Sequence, residues 1–366
     1  MALSSGIEKL QKYLESAKSG LSTGAKVQIV IGNEAADLDS MASAVLYAYY
    51  KSQASPAGAA SYVPLINIPR ADFKLRTEAA FLFSHAGVKT ESLLFAEDVD
   101  LPALHAAGKL ELVLIDHNKL ASVQAPLENA VVEIIDHHKD EGLYTNISNR
   151  IIEPVGSAAT LVAEALLKNE SVLEQGSATL LLGTILLDTV NLDPEAQRAT
   201  EKDQKIVDTL LSLTGANRQE LFDKLQEEKF NVSSLDSSDL LRKDYKEWML
   251  GQKNVGFSSV LLSVADWLKK DSALSSSLGD YAKARKLDVL IAMNAYTDPQ
   301  FTRELVVYCQ DDALRTKLLG FLEASDLGLT KLEGSVDGAT ALYAQANLGY
   351  SRKKLQPVMN DFFTSL

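Results

Sequence analysis

The sequence predicts an α/β protein in two parts: an N-terminal domain built on a doubly wound, mainly parallel sheet, and a smaller α+β C-terminal domain with a mixed sheet. Three observations predict it. Apolar, β-prone runs at Lys26–Gly32, Leu112–Asp116 and Val131–Asp136 each stop abruptly in polar or charged residues. Helical patterns separate the runs, and strand–loop–helix alternation is how a parallel sheet is wound. Near residue 218 the character changes, with Lys and Glu clustering and strands recurring after it. At 366 residues the chain exceeds one ordinary core, so two domains are expected. Their bounds are read as 1–212 and 213–366, with a helical linker over about 195–217.

Taken in order, Ile7, Leu10, Tyr13 and Leu14 recur at helical spacing until Ser and Gly at 19–24 interrupt them. The strand KVQIVIG (26–32) runs into the polar loop NEAADLD (33–39), and a helix follows from Ser40 to about Ser52. QASPAGAAS (53–61) is a loop by composition. A strand is expected at Tyr62–Ile66 and a helix near 77–86. The strands Leu112–Asp116 and Val131–Asp136 follow. Gly156, Ser157 and Ala158 open a helix to about Lys168; another spans roughly 177–187 and carries Asp188 at its end. Polar helical residues occupy 195–211. Beyond them come strands at 257–264, 288–294 and about 304–309, a helix near 311–323, and the basic run SRKK at 351–354.

Composition excludes several classes. With 49 acidic against 36 basic side chains the formal net charge is −13, which argues against a general nucleic-acid or anionic-membrane binder. No apolar run approaches the roughly 18 residues of a membrane span. The N-terminus lacks a basic segment followed by an apolar one, so a cytoplasmic protein is expected. The single cysteine, Cys309 in LVVYC, cannot form an intrachain disulfide and reads as a core thiol.

The stretch VVEIIDHHK (131–139) concentrates the chemistry. A buried strand that ends in one carboxylate and two imidazoles has no packing reason to do so. Other segments end in the same way: Asp37 and Asp39 at i and i+2 of the first loop, Asp116 with His117 after the third strand, and Asp188 after a helix. Alone, a DxD in a loop is usually an Asx turn or a helix cap. Several such features at the ends of apolar segments point instead to a metal site. Oxygen-rich donors suit Mg²⁺ and Mn²⁺, and imidazoles move the preference towards Mn²⁺, Co²⁺ or Zn²⁺. Two such ions about 3.5–4 Å apart can clamp the attacking and leaving oxygens of an in-line displacement at phosphorus and acidify the water between them.

At these residues the sequence resembles the DHH phosphoesterase superfamily. The similarity runs through GNEAADLDS (32–40), PLINIPRADFKLRTE (64–78), LIDHN (114–118), IIDHH (134–138), EPVGSAATLV (153–162), GTILLDTVN (183–191), LLRKDYKEW (240–248) and SRKK (351–354). It follows the branch in which a DHH domain precedes a DHHA2 domain: eukaryotic-type exopolyphosphatases, prune-like proteins and family II inorganic pyrophosphatases. The resemblance implies two divalent cations held by Asp37, Asp39, Asp116, His137 and Asp188, with Asp116 bridging. It implies catalysis by Asp116, His138 and Asp136, His138 contacting phosphate and Asp136 orienting an imidazole. It further implies substrate binding by His138, Asn33, Lys246, Arg352 and Lys353, so that a cleft between the domains would have an acidic and a basic wall. Family II pyrophosphatases begin the first motif with a histidine, where this chain has Asn33. The intact triplet favours a working hydrolase over a prune-like scaffold.

The expectation is therefore a monomeric, metal-dependent exopolyphosphatase acting on inorganic polyphosphate through a hydroxide held between two metals. The alternatives are a short-chain phosphohydrolase (pyrophosphate, tripolyphosphate, a nucleoside tetraphosphate or a cyclic nucleotide) and a prune-like phosphate-binding scaffold. Among neighbouring residues, His117 reads equally as a site residue or a loop anchor. Arg70 and Arg76 read as salt-bridging rather than phosphate-binding. Ser157 caps its helix or marks an anion site there.

Overall fold

The computed structural model describes residues 3, 6–22, 25–56, 61–169, 172–297 and 300–366. Its contacts divide the chain into two units, 1–229 and 230–366. The first contains α1 (Glu8–Ala17), β1 (Val27–Ile31), α2 (Leu38–Ala54), β2 (Ser61–Leu65), α3 (Arg70–Phe73), α4 (Thr77–His85) and α5 (Leu101–Ala106). It continues with β3 (Leu110–Ile115), β4 (Val131–Asp136), β5 (Asn149–Ile152), α6 (Ala158–Leu167), α7 (Gln175–Asp188), α8 (Glu201–Thr214) and α9 (Arg218–Phe230). The reading of 53–61 as a loop falls partly on 57–60, outside the described residues; 53 and 54 are the last residues of α2.

The five strands form one parallel sheet in the order β2-β1-β3-β4-β5. Strands buried on both faces read as unbroken apolar runs, and the core shows why. Val30, Val113, Ile115 and Ile135 pack into the cluster that holds α2, α4, α6 and α7. Their neighbours Ile29, Ile31, Leu112, Leu114 and Ile134 belong to a separate cluster with Leu101, Leu120 and Leu127. Both faces are thus covered, as a doubly wound sheet requires. β5 was missed in the sequence because NRII is half-exposed and alternates weakly. The expected linker lies with the first unit: Val207 and Leu210 of α8 and Leu221 and Leu225 of α9 are buried in its core.

The second unit contains α10 (Ser237–Lys243), β6 (Tyr245–Leu250), β7 (Lys253–Val260), α11 (Val264–Lys270), α12 (Leu274–Ala284), β8 (Val289–Thr297) and β9 (Phe301–Tyr308). α13 (Asp312–Ala324), β10 (Leu329–Lys331), β11 (Thr340–Gln345) and α14 (Arg352–Thr364) complete it. Its six-stranded sheet, β10-β11-β9-β8-β7-β6, is mixed: β7 and β8 are parallel and the other neighbours antiparallel. Only three of these strands were legible in the sequence, because β6 and β10 are largely exposed. Cys309 is fully buried in this core. Among the described residues, no helix is long and apolar enough to cross a membrane.

Candidate metal centre

In a parallel sheet of this order the winding direction reverses between β1 and β3, and the crevice outside the carboxyl ends of those strands is where ligands bind. The proposed metal-ligand carboxylates and both imidazoles of the DHH triplet arrive there. β1 leads to Asp37, which ends the loop as expected, and to Asp39, which lies on the helix and not in the loop before it. α2 starts at Leu38, Asp37 is its N-cap and accepts from Ser40 N at 3.1 Å, and Asp39 sits in the first turn. β3 delivers Asp116, whose N–H donates to Ile135 O at 2.9 Å. The φ of Asp116 is +63°, a left-handed conformation that Asp tolerates better than most residues. β4 delivers Asp136, His137 and His138, and α7 ends on Asp188. Asp37, Asp39, Asp116, His137, His138 and Asp188 line one cavity of about 330 Å³, with Gly156 and Arg198 on its wall.

The carboxylates are held by donors on one side and left bare on the other. Asp116 Oδ2 accepts from Ser40 Oγ at 2.6 Å and from Asn33 Nδ2 at 2.9 Å. Its Oδ1 is buried and accepts no hydrogen bond from the described residues, although His137 Nε2 lies 3.1 Å away in an ion-pair contact. Asp188 Oδ2 is likewise buried without a donor. Asp39 accepts from the N–H groups of Ala158 (2.6 Å) and Ala159 (2.8 Å), and from Ser43 Oγ (2.9 Å). This corrects both readings of Ser157, whose side chain makes no capping bond. The positive end of α6 is taken by the protein's own carboxylate.

Crowding of like charge is visible in the acidities. Burial, then the Asp116 charge, pushes Asp39 up to about 7. Burial and the charges of Asp39 and Asp37 raise Asp188 well above the carboxylate range. The protein packed around Asp37, then Asp116, raises that carboxyl too, although the residue is solvent-exposed. For His137, burial opposes the charged form, but Asp116, Asp39 and the Val155 carbonyl outweigh it and push the imidazole up to about 10.

Each imidazole is oriented through Nδ1. His137 Nδ1 lies 2.9 Å from Val155 O; a carbonyl can only accept, so Nδ1 donates, and Nε2 is the nitrogen free to exchange its proton for a metal. His138 Nδ1 donates to Asp136 Oδ1 at 2.9 Å, the bond that chiefly raises its pKa. Asp136 is completely buried and also accepts from His137 N at 2.8 Å and Asn118 Nδ2 at 2.5 Å. Its Oδ1 holds the His138 ring and the N–H groups of His137 and His138, so it orients the turn that carries both imidazoles. His138 is the most open of the set, its side chain 56% exposed against 19% for His137.

Bare, buried carboxylate oxygens beside an imidazole nitrogen fit a hard-to-borderline divalent cation. Asp116, His137 and His138 each offer one donor atom, all within 4.8 Å of one another. Gly156 lets the wall close: a Cβ there would stand 2.5 Å from Thr189 Cγ2 and 2.7 Å from Arg198 O. Gly156→Ala is therefore expected to destabilise the protein by about 1–3 kcal/mol through overpacking, measurable as a lower denaturant midpoint.

Other expected residues fall elsewhere. Both ends of the Asn33 amide are engaged, Nδ2 on Asp116 and Oδ1 on the N–H groups of Ala35 and Ala36, so in this structure it orients Asp116. His117 Nδ1 lies 2.9 Å from Ile115 O, which makes it a loop anchor. Arg70 pairs with Asp98 at 2.7 Å and stacks over Phe95. Arg76, read as a salt-bridging group, instead donates to the carbonyls of Ala35 and Ala36 and props up the loop that carries Asp37. In the second unit Lys246 lies exposed on β6, and Arg352 and Lys353 open α14. Arg352 is fastened to Asp244 at 2.7 Å. Sequence reasoning missed Ser40, Asn118, the Val155 carbonyl, Gly156 and Arg198; Asn118 and Ser40 fall inside the motifs quoted, but Arg198 stands in no motif.

The DHH family N-terminal domain matches residues 28–187, and the DHHA2 domain matches residues 223–362. Exopolyphosphatase PRUNE1 of Rattus norvegicus is 37% identical over 361 residues, covering 96% of this chain and 79% of that one. The chain belongs to the DHH family. Within this DHH–DHHA2 branch, Exopolyphosphatase PRUNE1 of Homo sapiens is 35% identical over the same shares. A manganese-dependent inorganic pyrophosphatase of Methanothrix thermoacetophila is 24% identical over 267 residues, 72% of this chain and 79% of that one. The family's naming triplet, Asp136-His137-His138, is intact in this DHH protein.

Proposed function

We propose that this protein is a divalent-metal-dependent exopolyphosphatase that releases orthophosphate from the ends of inorganic polyphosphate. The observation that carries the reading is the single cavity onto which Asp37, Asp39, Asp116, His137 and Asp188 converge with His138 on its open side. The relatives named exopolyphosphatase support the substrate, and the one named manganese-dependent supports Mn²⁺, with Mg²⁺ the alternative and Co²⁺ or Zn²⁺ compatible with the imidazole.

Bound divalent cations would neutralise the terminal phosphate and acidify an attacking water. The chain's own residues do the rest. Asp116 is fixed by Ser40 and Asn33, and His137 by Val155, so the ligand geometry is set before substrate arrives. His138, held through Nδ1 by Asp136, offers its second nitrogen as the acid. The attacking water's oxygen bonds to the terminal phosphorus and releases one proton to solvent, the bridging P–O bond breaks with its electron pair on the shortened chain, and His138 Nε2 supplies the leaving oxygen's proton, which His138 then regains from solvent. In the second unit, Lys246, Arg352 and Lys353 belong to the same proposal as phosphate-binding cations. Three basic side chains in the first turn of α14 run against the helix dipole, which is costly without an anion to hold. A cytoplasmic monomer whose substrate is neither nucleic acid nor lipid completes the proposal.

A chain-length series tests it. With Mn²⁺ or Mg²⁺, turnover is expected to persist for chains well beyond three phosphates. Hydrolysis confined to pyrophosphate or tripolyphosphate would replace this reading with that of a short-chain phosphohydrolase.

A further inference from the structure

One cation stands on the wall of the acidic cavity. Arg198 lies between α7 and α8, lines the same space as Asp116 and Asp188, and is exposed. It makes no hydrogen bond or ion pair through its side chain with any described residue. Lys202, four residues on, is by contrast committed to Glu153 at 2.8 Å and Glu164 at 3.3 Å. An arginine beside several carboxylates that pairs with none of them is available to a ligand of the opposite sign. The carboxylates serve a cation; the guanidinium serves an anion.

Its position is built. Asp203, fully buried, accepts from Gly156 N at 2.8 Å, from Thr200 N at 2.7 Å and from Thr160 Oγ1 at 2.6 Å. One carboxylate thereby ties the cavity wall to the start of α8 and fixes the segment that carries Arg198. The backbone of this segment takes left-handed conformations that side chains disfavour: Val190 (φ +52°), Asn191 (+57°), Leu192 (+60°) and Gln197 (+51°). Such conformations persist only where the surroundings impose them, and they gather at functional sites. The Arg198 carbonyl packs on Gly156 so closely that no Cβ would fit between them.

Resting on the reading above, we propose that Arg198 is a substrate-binding residue. Its guanidinium donates two hydrogen bonds to non-bridging oxygens of the phosphoryl group held at the metal centre, and it exchanges no proton. A planar fork matches a phosphate edge better than the point charge of a lysine. The first unit thus supplies its own phosphate grip, apart from the basic residues of the second.

Arg198→Gln and Arg198→Lys test this in the full chain loaded with Mn²⁺. Polyphosphate turnover, orthophosphate binding by calorimetry, Mn²⁺ affinity and thermal midpoint would be measured. The glutamine variant is expected to lose about 10²-fold in kcat/KM and about 10-fold in orthophosphate affinity. Its Mn²⁺ affinity and thermal midpoint should hold, and the lysine variant should recover part of the loss. Wild-type values for both substrate and orthophosphate in Arg198→Gln would overturn the inference, as would a parallel loss of Mn²⁺ binding in both variants. Wild-type protein inactive on every phosphoanhydride would instead sink the functional reading itself.

Discussion

Asp116→Ala is expected to lower orthophosphate release by at least about 10³-fold while leaving the protein folded. Asp116 stands where everything meets. Ser40 and Asn33 fix one oxygen, and the other lies bare within 3.1 Å of His137 Nε2 and 3.6 Å of His138 Nδ1. Among the described residues, no other carboxylate is in ion-pair contact with both imidazoles. Removing it takes a ligand from the centre and frees Asn33 and Ser40 to reorient. Stability should not suffer in proportion, because the Asp116 charge crowds Asp37, Asp39 and Asp188 in the metal-free fold. Kinetics with circular dichroism and thermal unfolding would check this. Activity within about tenfold of wild type would remove Asp116 from the centre of the account.

The second large effect is expected in stability. Mn²⁺ at about 100 times its Kd should stabilise the protein by about 2.7 kcal/mol, and the benefit should grow with pH. The sign follows from the two groups with raised acidities. Asp39 moves from 3.8 to about 7 in the fold, so the stability it lends the metal-free protein is full below 3.8 and is lost as pH rises through about 7. His137 moves from 6.5 to about 10; its contribution is full below 6.5 and lost as pH rises through about 10. The metal-free protein therefore weakens from mildly acidic to alkaline pH, as carboxylates ionise against one another and His137 gives up its proton. A divalent cation takes the proton's place. The gap in thermal midpoint between Mn²⁺-loaded and chelator-treated protein should be wider at pH 8 than at pH 5.5. A gap that is constant, or narrower at pH 8, would contradict the assignment of these groups as ligands.

What the sequence revealed of the centre, and what it concealed, divides along a physical line. Apolar strands that stop in Asp or His announce themselves locally, so Asp37, Asp39, Asp116, His137, His138 and Asp188 could be named without coordinates. Groups that act through the backbone, or from irregular segments, leave no such trace. Nothing in EPVGS distinguishes the Val155 carbonyl that orients His137. The left-handed turn at Val190–Leu192 occurs in residues that avoid that conformation, so propensity hides it. Arg198 has polar, unpatterned neighbours and acquires meaning only through the Asp203 clamp. Ser157 failed for the opposite reason: its motif suggested a cap, but Asp39, 118 positions earlier, takes the helix N–H groups first. In the second unit, β6 and β10 were unread because exposed strands lack the apolar run that betrays the buried ones, β11 because its mostly buried TALYAQ mixes polar and small residues with apolar ones, and SRKK reads as a charge cluster because basic residues rarely open a helix.

One carboxylate–imidazole centre, charged with divalent metal, is expected to cleave terminal phosphoanhydride bonds. Orthophosphate release from long-chain polyphosphate by the purified full chain, with Mn²⁺ and with chelator, tests this most directly. Release is expected with Mn²⁺ and none with chelator, and the Mn²⁺-dependent rate should be lost in Asp116→Ala. Absence of release with either Mn²⁺ or Mg²⁺, or release that survives in Asp116→Ala, would contradict it.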